Sequence, residues 1–142
     1  MGRTVVLIKP DAVKSGFIGQ IITRLEKAGF VMVAAKLLYL EDKIIDVWYG
    51  HHKEKPFFPE LKSFMQSAPI MAMLWEGDEV VAKIRTMAGI TDSTKAEKGT
   101  IRSDFGRDVQ MNAVHISDSV ESANKETNLI FSPEEICEHQ RN

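Results

Sequence analysis

His115 stands between Val114 and Ile116 in a short apolar run and is followed at once by Ser117-Asp118-Ser119. Much of an imidazole is unprotonated near neutral pH, so such a ring can act as a nucleophile once something orients it. Glu126, one or two turns into the following helical stretch, and Ser117 are close enough in sequence to reach back and fix its tautomer. Taken alone, a histidine in an apolar strand is more simply a satisfied core residue, so the partners decide. The cationic side chains that could hold phosphate are Lys9, Arg85, Arg102 and Arg107. Each by itself reads as a solvated surface charge, and only convergence on one pocket would make an anion site. The backbone loops that often cradle phosphate are missing: there is no G-x-x-x-x-G-K-[ST] run, and Gly16 with Gly19 does not make G-x-G-x-x-G. Asp104-Phe105-Gly106 matches one protein-kinase motif without its partners. The adjacent His51-His52 pair has no companion ligands at zinc spacing. Any phosphate chemistry must therefore use side chains.

Those side chains need elements to position them. Thr4-Val5-Val6-Leu7-Ile8 is a β-branched apolar run ended by Lys9-Pro10-Asp11, which reads as a buried strand running into a turn. From Phe17 the apolar residues Ile18, Ile21, Ile22, Leu25 and Ala28 line one helix face, and Gly29 stops the helix. Phe30 to Leu40 reads as a second strand. Glu41 to Trp48 and Pro59 to Met65 read as short helices around a Pro56-Phe57-Phe58-Pro59 elbow. Ile70 to Trp75 is the third strand, and Asp78 is expected to cap a helix carrying Val80, Val81, Ile84 and Met87. From about 89 to 111 the periodicity fails, and a loop of that length inside a compact domain reads as functional. Ala113 to Ile116 forms a fourth strand, Ser119 with Glu121 starts a helix over Val120 to Leu129, and 132–142 reads as an arm. This order predicts an α+β sandwich of ferredoxin-like type, a four-stranded antiparallel sheet covered by helices on one face.

Composition bounds the function. The 142 residues suit one domain over 1–142, and 44% hydrophobic with 27% charged residues is ordinary for a globular fold. A formal charge of −2 gives no global attraction to nucleic acid or anionic membrane, so phosphate binding must be local. The single cysteine, Cys137, excludes an intrachain disulfide and fits a reducing, cytoplasmic setting. No apolar run reaches the length of a membrane span, and Met1-Gly2 fails as a myristoylation signal because Val6 stands where Ser or Thr is needed.

Asn112-Ala113-Val114-His115-Ile116-Ser117-Asp118-Ser119 resembles the signature of the nucleoside diphosphate kinase family, an N-x-x-H-x-S-D-S run around a phosphorylated histidine. Three further blocks agree in order and spacing: Ile8-Lys9-Pro10-Asp11, Tyr49 to Phe58 with Lys55-Pro56-Phe57-Phe58, and Gly99-Thr100-Ile101-Arg102-Ser103-Asp104-Phe105. The resemblance implies that His115 takes the γ-phosphate of a nucleoside triphosphate and passes it to a diphosphate in the same pocket, with broad base tolerance. It puts the phosphate on the ring's δ nitrogen, with Glu126 and Ser117 beside it and the other nitrogen held by a backbone carbonyl. By the same resemblance Lys9, Tyr49, Arg85, Thr91, Arg102 and Asn112 hold phosphates and ribose, and Phe57 stacks on the base. Mg²⁺ would arrive on the nucleotide phosphates rather than in a protein metal site. The implied assembly is a homo-oligomer, a tetramer or hexamer of similar dimers, with the 89–111 loop forming one side of the cleft.

Two departures from the family pattern carry expectations of their own. Ser93 and Lys98 stand where proline is frequent, which should soften the loop by roughly 0.4–1 kcal/mol per site and weaken stability or subunit contacts while sparing chemistry. Ile116 stands where a small residue is usual, and its branched side chain is expected to crowd the nucleophile. The competing readings are a non-catalytic regulatory module on the same fold and a sequence-tolerant nucleic-acid binder using the same basic and aromatic cleft. The intact motif argues against the first and the acidic balance against the second as a main role.

Overall fold

Successive side chains of a strand alternate between faces, so the unbroken apolar run Val5-Val6-Leu7-Ile8 demands cover on both. A computed structural model describes residues 2–141; Met1 and Asn142, the ends of the expected domain and arm, lie outside the described residues. The strands are β1 (Gly2–Ile8), β2 (Val31–Leu38), β3 (Ile70–Gly77) and β4 (Val114–Ile116). They form one sheet in the order β2-β3-β1-β4, antiparallel at every junction. The helices are α1 (Pro10–Lys14), α2 (Ile18–Lys27), α3 (Asp42–Trp48), α4 (Phe58–Met65), α5 (Val80–Ala88), α6 (Ile101–Phe105) and α7 (Val120–Ile130).

Val6 and Ile8 join a cluster with Ile21 and Leu25 of α2 and with Val80 and Ile84 of α5. Val5 and Leu7 join a second cluster with Ile45 of α3, Phe58 and Met65 of α4 and Ile130 of α7. The ferredoxin-like four-stranded antiparallel sheet is therefore as expected, but helices cover both of its faces rather than one. The cause is legible in Val5 to Ile8 of β1 and in Ala72 to Trp75 of β3, where consecutive residues are all buried.

Smaller differences have local causes. Pro10 opens α1 instead of a simple turn, because its missing N–H and fixed φ suit a first helical position. The third strand runs on to Gly77, where a Cβ would meet the Phe30 ring at 2.7 Å. Asp78 does not cap α5; Glu79 takes that place at φ 54° with no side-chain cap bond. The expected irregular loop contains α6, capped by the Thr100 hydroxyl accepting from the Ser103 N–H, and five residues are too few to display a period. The arm lies on its own domain: the Cys137 N–H donates to the Val33 carbonyl at 2.7 Å, and Lys36 pairs with Glu135 at 3.0 Å. Arg3 pairs with Glu138, and Arg141 donates to the Phe30 carbonyl at 3.1 Å. Among the described residues no helix is long and apolar enough to cross a membrane.

Candidate active site

The site begins where β1 ends. The Lys9 backbone N–H donates to the Ala113 carbonyl at 2.8 Å, which ties the end of β1 to the start of β4. The buried Lys9 ammonium donates to the Gln110 carbonyl at 2.7 Å and to Asn112 Oδ1 at 2.9 Å. Burial lowers its pKa to about 8, with Asp11 pulling the other way. Asn112 in turn donates from Nδ2 to the Thr91 carbonyl at 3.0 Å, joining the far loop to this corner.

Between Asn112 and β4 the chain makes a tight turn. Ala113 has φ 74°, and the Val114 N–H donates to the Asn112 carbonyl at 2.9 Å, closing a γ-turn of the positive-φ kind that L residues rarely adopt. Asp11 Oδ2 accepts from the Ala113 N–H at 3.1 Å and holds the turn in place. Burial raises the Asp11 carboxyl above its ordinary value, opposed by that N–H and by Lys9.

The turn sets the register in which His115 lies opposite Leu7. Its Nε2 is 3.2 Å from Glu126 Oε1, and the Trp48 indole N–H donates to the same nitrogen at 3.1 Å. The Ser117 hydroxyl donates to Glu126 Oε1 at 2.8 Å. Glu126 stands at Nε2 rather than beside the δ nitrogen, and Ser117 reaches the ring only through Glu126. Among the described residues an indole N–H, not a backbone carbonyl, is the further partner. Trp48 ends α3, and its ring meets the imidazole edge-on at 5.0 Å between centroids.

Arg102 of α6 reaches across the loop, donating to the Gly89 carbonyl at 2.9 Å and the Val114 carbonyl at 3.1 Å. Burial lowers its pKa, and its Nε has no partner. Arg85 pairs with Asp118 at 2.8 Å, and burial pushes the Tyr49 phenol up. Lys9, Tyr49, Phe57, Arg85, Thr91, Arg102, Asn112 and His115 all line one cleft of about 770 Å³. Glu126 and Ser117 are not among its lining and act on it through the ring; Arg107 does not line it either. Ile116 is mostly buried in the cluster with Val6 and Val80 and also lines the cleft beside His115.

Sequence reasoning missed several lining residues: His51, His52, Leu61, Ile90, Val109, Gln110 and Asp118. Ile90 and Val109 are each 57% exposed, and their only sequence signal is an apolar residue isolated in a polar loop. Trp48 carries no signal at all. Among the described residues no group of three or more His, Cys, Asp or Glu stands together as a metal site. One carboxylate, Asp118, lines a cleft otherwise rich in cations, a donor set that fits a hard divalent ion held chiefly by phosphate oxygens.

A model of the family described as nucleoside diphosphate kinase matches residues 2–136. The chain belongs to the nucleoside diphosphate kinase family. A nucleoside diphosphate kinase of Halalkalibacterium halodurans is 46% identical over 141 residues, 99% of this chain and 96% of that one. One of Saccharomyces cerevisiae is 46% identical over 140 residues, 99% of this chain and 92% of that one. The structure of a halophilic nucleoside diphosphate kinase from Halobacterium salinarum in complex with CDP superposes with a TM-score of 0.95 at 39% identity, covering 99% of this chain and 93% of that one. As a nucleoside diphosphate kinase family member the chain is an enzyme, a phosphotransferase, and the cleft is its candidate nucleotide site.

Proposed function

We propose that the chain moves the γ-phosphate of a nucleoside triphosphate to a nucleoside diphosphate by a ping-pong route through a phosphohistidine on His115. The observation that carries this reading is the setting of the ring, with Nε2 at 3.2 Å from Glu126 on the wall of a cleft shared with Lys9, Arg85 and Arg102. When Nε2 carries the hydrogen and donates to Glu126, Nδ1 keeps its lone pair. Nδ1 then attacks the γ-phosphorus, the bond from phosphorus to the bridging oxygen breaks, and the diphosphate leaves with that electron pair. A terminal oxygen of a second diphosphate attacks the same phosphorus, and the pair returns to Nδ1.

Such transfer passes through a loose transition state whose charge lies on the equatorial and bridging oxygens. Fixed donors aimed at those oxygens lower its energy without reorganising, which is the work given to Lys9, Arg85, Arg102 and the Tyr49 hydroxyl. A bound Mg²⁺, carried on the phosphates near Asp118, would neutralise further charge. Thr91 and Asn112 are assigned to phosphate and ribose contacts. Phe57, 45% exposed at the cleft, offers a face on which any base can stack, which supports broad base tolerance. Residues 89–111 form one wall of the cleft in a single catalytic domain, and the lone exposed Cys137 suits a cytoplasmic setting. Exposed Leu37 and Tyr39, on and just beyond the edge strand β2, support a homo-oligomer, a tetramer or hexamer.

Initial rates measured across both substrates test the route. Parallel double-reciprocal lines fit a shuttle, whereas intersecting lines require both nucleotides bound at once and would exclude it.

A further inference from the structure

Nε2 of His115 has two neighbours that ask opposite things of it. Trp48 Nε1 is 3.1 Å away, and an indole nitrogen can only donate. That bond forms only when Nε2 is bare, which in the neutral ring puts the proton on Nδ1. Glu126 Oε1 is 3.2 Å away, and an ionised carboxylate can only accept. That bond forms only when Nε2 carries the proton. One nitrogen cannot serve both partners. Neither neighbour is free to withdraw, because Ser117 donates to the same carboxylate oxygen at 2.8 Å and Trp48 is packed edge-on against the imidazole at the end of α3.

We propose that Trp48 is a positioning residue for His115, whose indole N–H opposes Glu126 at Nε2 and brings the two tautomers of the ring close in population. A bond to a charged acceptor is roughly twice as strong as a neutral one, so Glu126 prevails. Its success leaves the Trp48 N–H facing an N–H, and that penalty narrows the gap between tautomers. The consequence for catalysis rests on the proposed function. The tautomer held by Glu126 keeps the Nδ1 lone pair ready, and the one held by Trp48 masks it with a proton. Trp48 therefore restrains the nucleophile.

Long-range ¹H–¹⁵N spectra of the labelled, nucleotide-free protein report which ring nitrogen of His115 carries hydrogen. Trp48→Phe keeps an aromatic ring against the imidazole and deletes the donor. In that variant the ratio of Nε2–H to Nδ1–H tautomer should rise about threefold to tenfold, the loss of one neutral hydrogen bond. A ratio that stays the same or falls would show that Trp48 only packs against the ring. If Trp48→Phe does not fold, benzothienylalanine at position 48 replaces the N–H by sulfur, keeps the bicyclic shape and makes the same comparison. The spectra need no substrate. A failure of His115 to accept phosphate would remove the proposed function and leave the tautomer result to stand or fall by itself.

Discussion

Asp11 touches no nucleotide-facing space, yet the charge of the cleft depends on it. Its carboxylate is buried beside Lys9, with Oδ2 on the Ala113 N–H and Oδ1 without a partner. Asp11→Asn keeps an oxygen for Ala113 and removes a charge that burial disfavours, so the melting temperature should hold or rise. The loss falls on Lys9. Its pKa of about 8 already combines a lowering by burial with a raising by Asp11. A nearby opposite charge is worth about 1–3 pKa units, so losing Asp11 should lower Lys9 further, by about one unit at the low end. At pH 7.5 the charged fraction then falls from about three quarters to about one quarter. The profile of kcat/KM against pH, which reports the free enzyme, should have its alkaline limb moved down by about one unit. At pH 7.5 kcat/KM should drop about threefold. An alkaline limb in Asp11→Asn that superimposes on that of the parent would refute the coupling, and a large fall in melting temperature would refute the placement of the carboxylate.

Other consequences concern stability. Because the folded state depresses Lys9, the unfolded chain binds more protons between about pH 8 and the ordinary 10.5, and stability should rise with pH across that window. The rise is on the order of 3 kcal/mol and should vanish in Lys9→Met under denaturant titration at several pH values. Lys98→Pro should add about 0.4–1 kcal/mol, because the Thr100 N–H donates to the Glu97 carbonyl and Gly99 has φ 95°, a turn that favours proline at Lys98. Ser93→Pro should show no such gain, since it deletes the Ser93 N–H bond to the Asp108 carbonyl, and calorimetry on the pair separates the two sites. Ile116→Ala should cost about 2–4 kcal/mol through the cavity it leaves in the cluster with Val6 and Val80, read by denaturant titration.

How much could be seen in the sequence depended on whether the signal was local. The helix α2 announces itself by its period and its closing Gly29, and β1 by a run of β-branched residues. The cover on both sheet faces was written in that same run, since strands that do not alternate have no solvent face. The cleft residues Lys9, Tyr49, Phe57, Arg102 and Asn112 were reached through motif blocks, and Arg85 and Thr91 through the wider family resemblance. Their convergence depends on contacts such as Lys9 to Asn112, which are 103 residues apart. Other features left no trace. The positive φ of Ala113 is accompanied by a hydrogen bond to the Asp11 carboxylate from far away in the chain, and no propensity of alanine foretells it. Trp48 reads as one more apolar residue closing α3, and its bond to His115 exists only because α3 and β4 meet at the same edge of the cleft.

The most direct test of the shuttle is intact mass after mixing the protein with ATP and Mg²⁺, again after adding GDP, and with His115→Ala beside it. One acid-labile phosphate, gained by the parent, discharged by GDP and absent from the variant, is the expected result. A folded parent that gains no phosphate, or a variant that gains the same one, would contradict it.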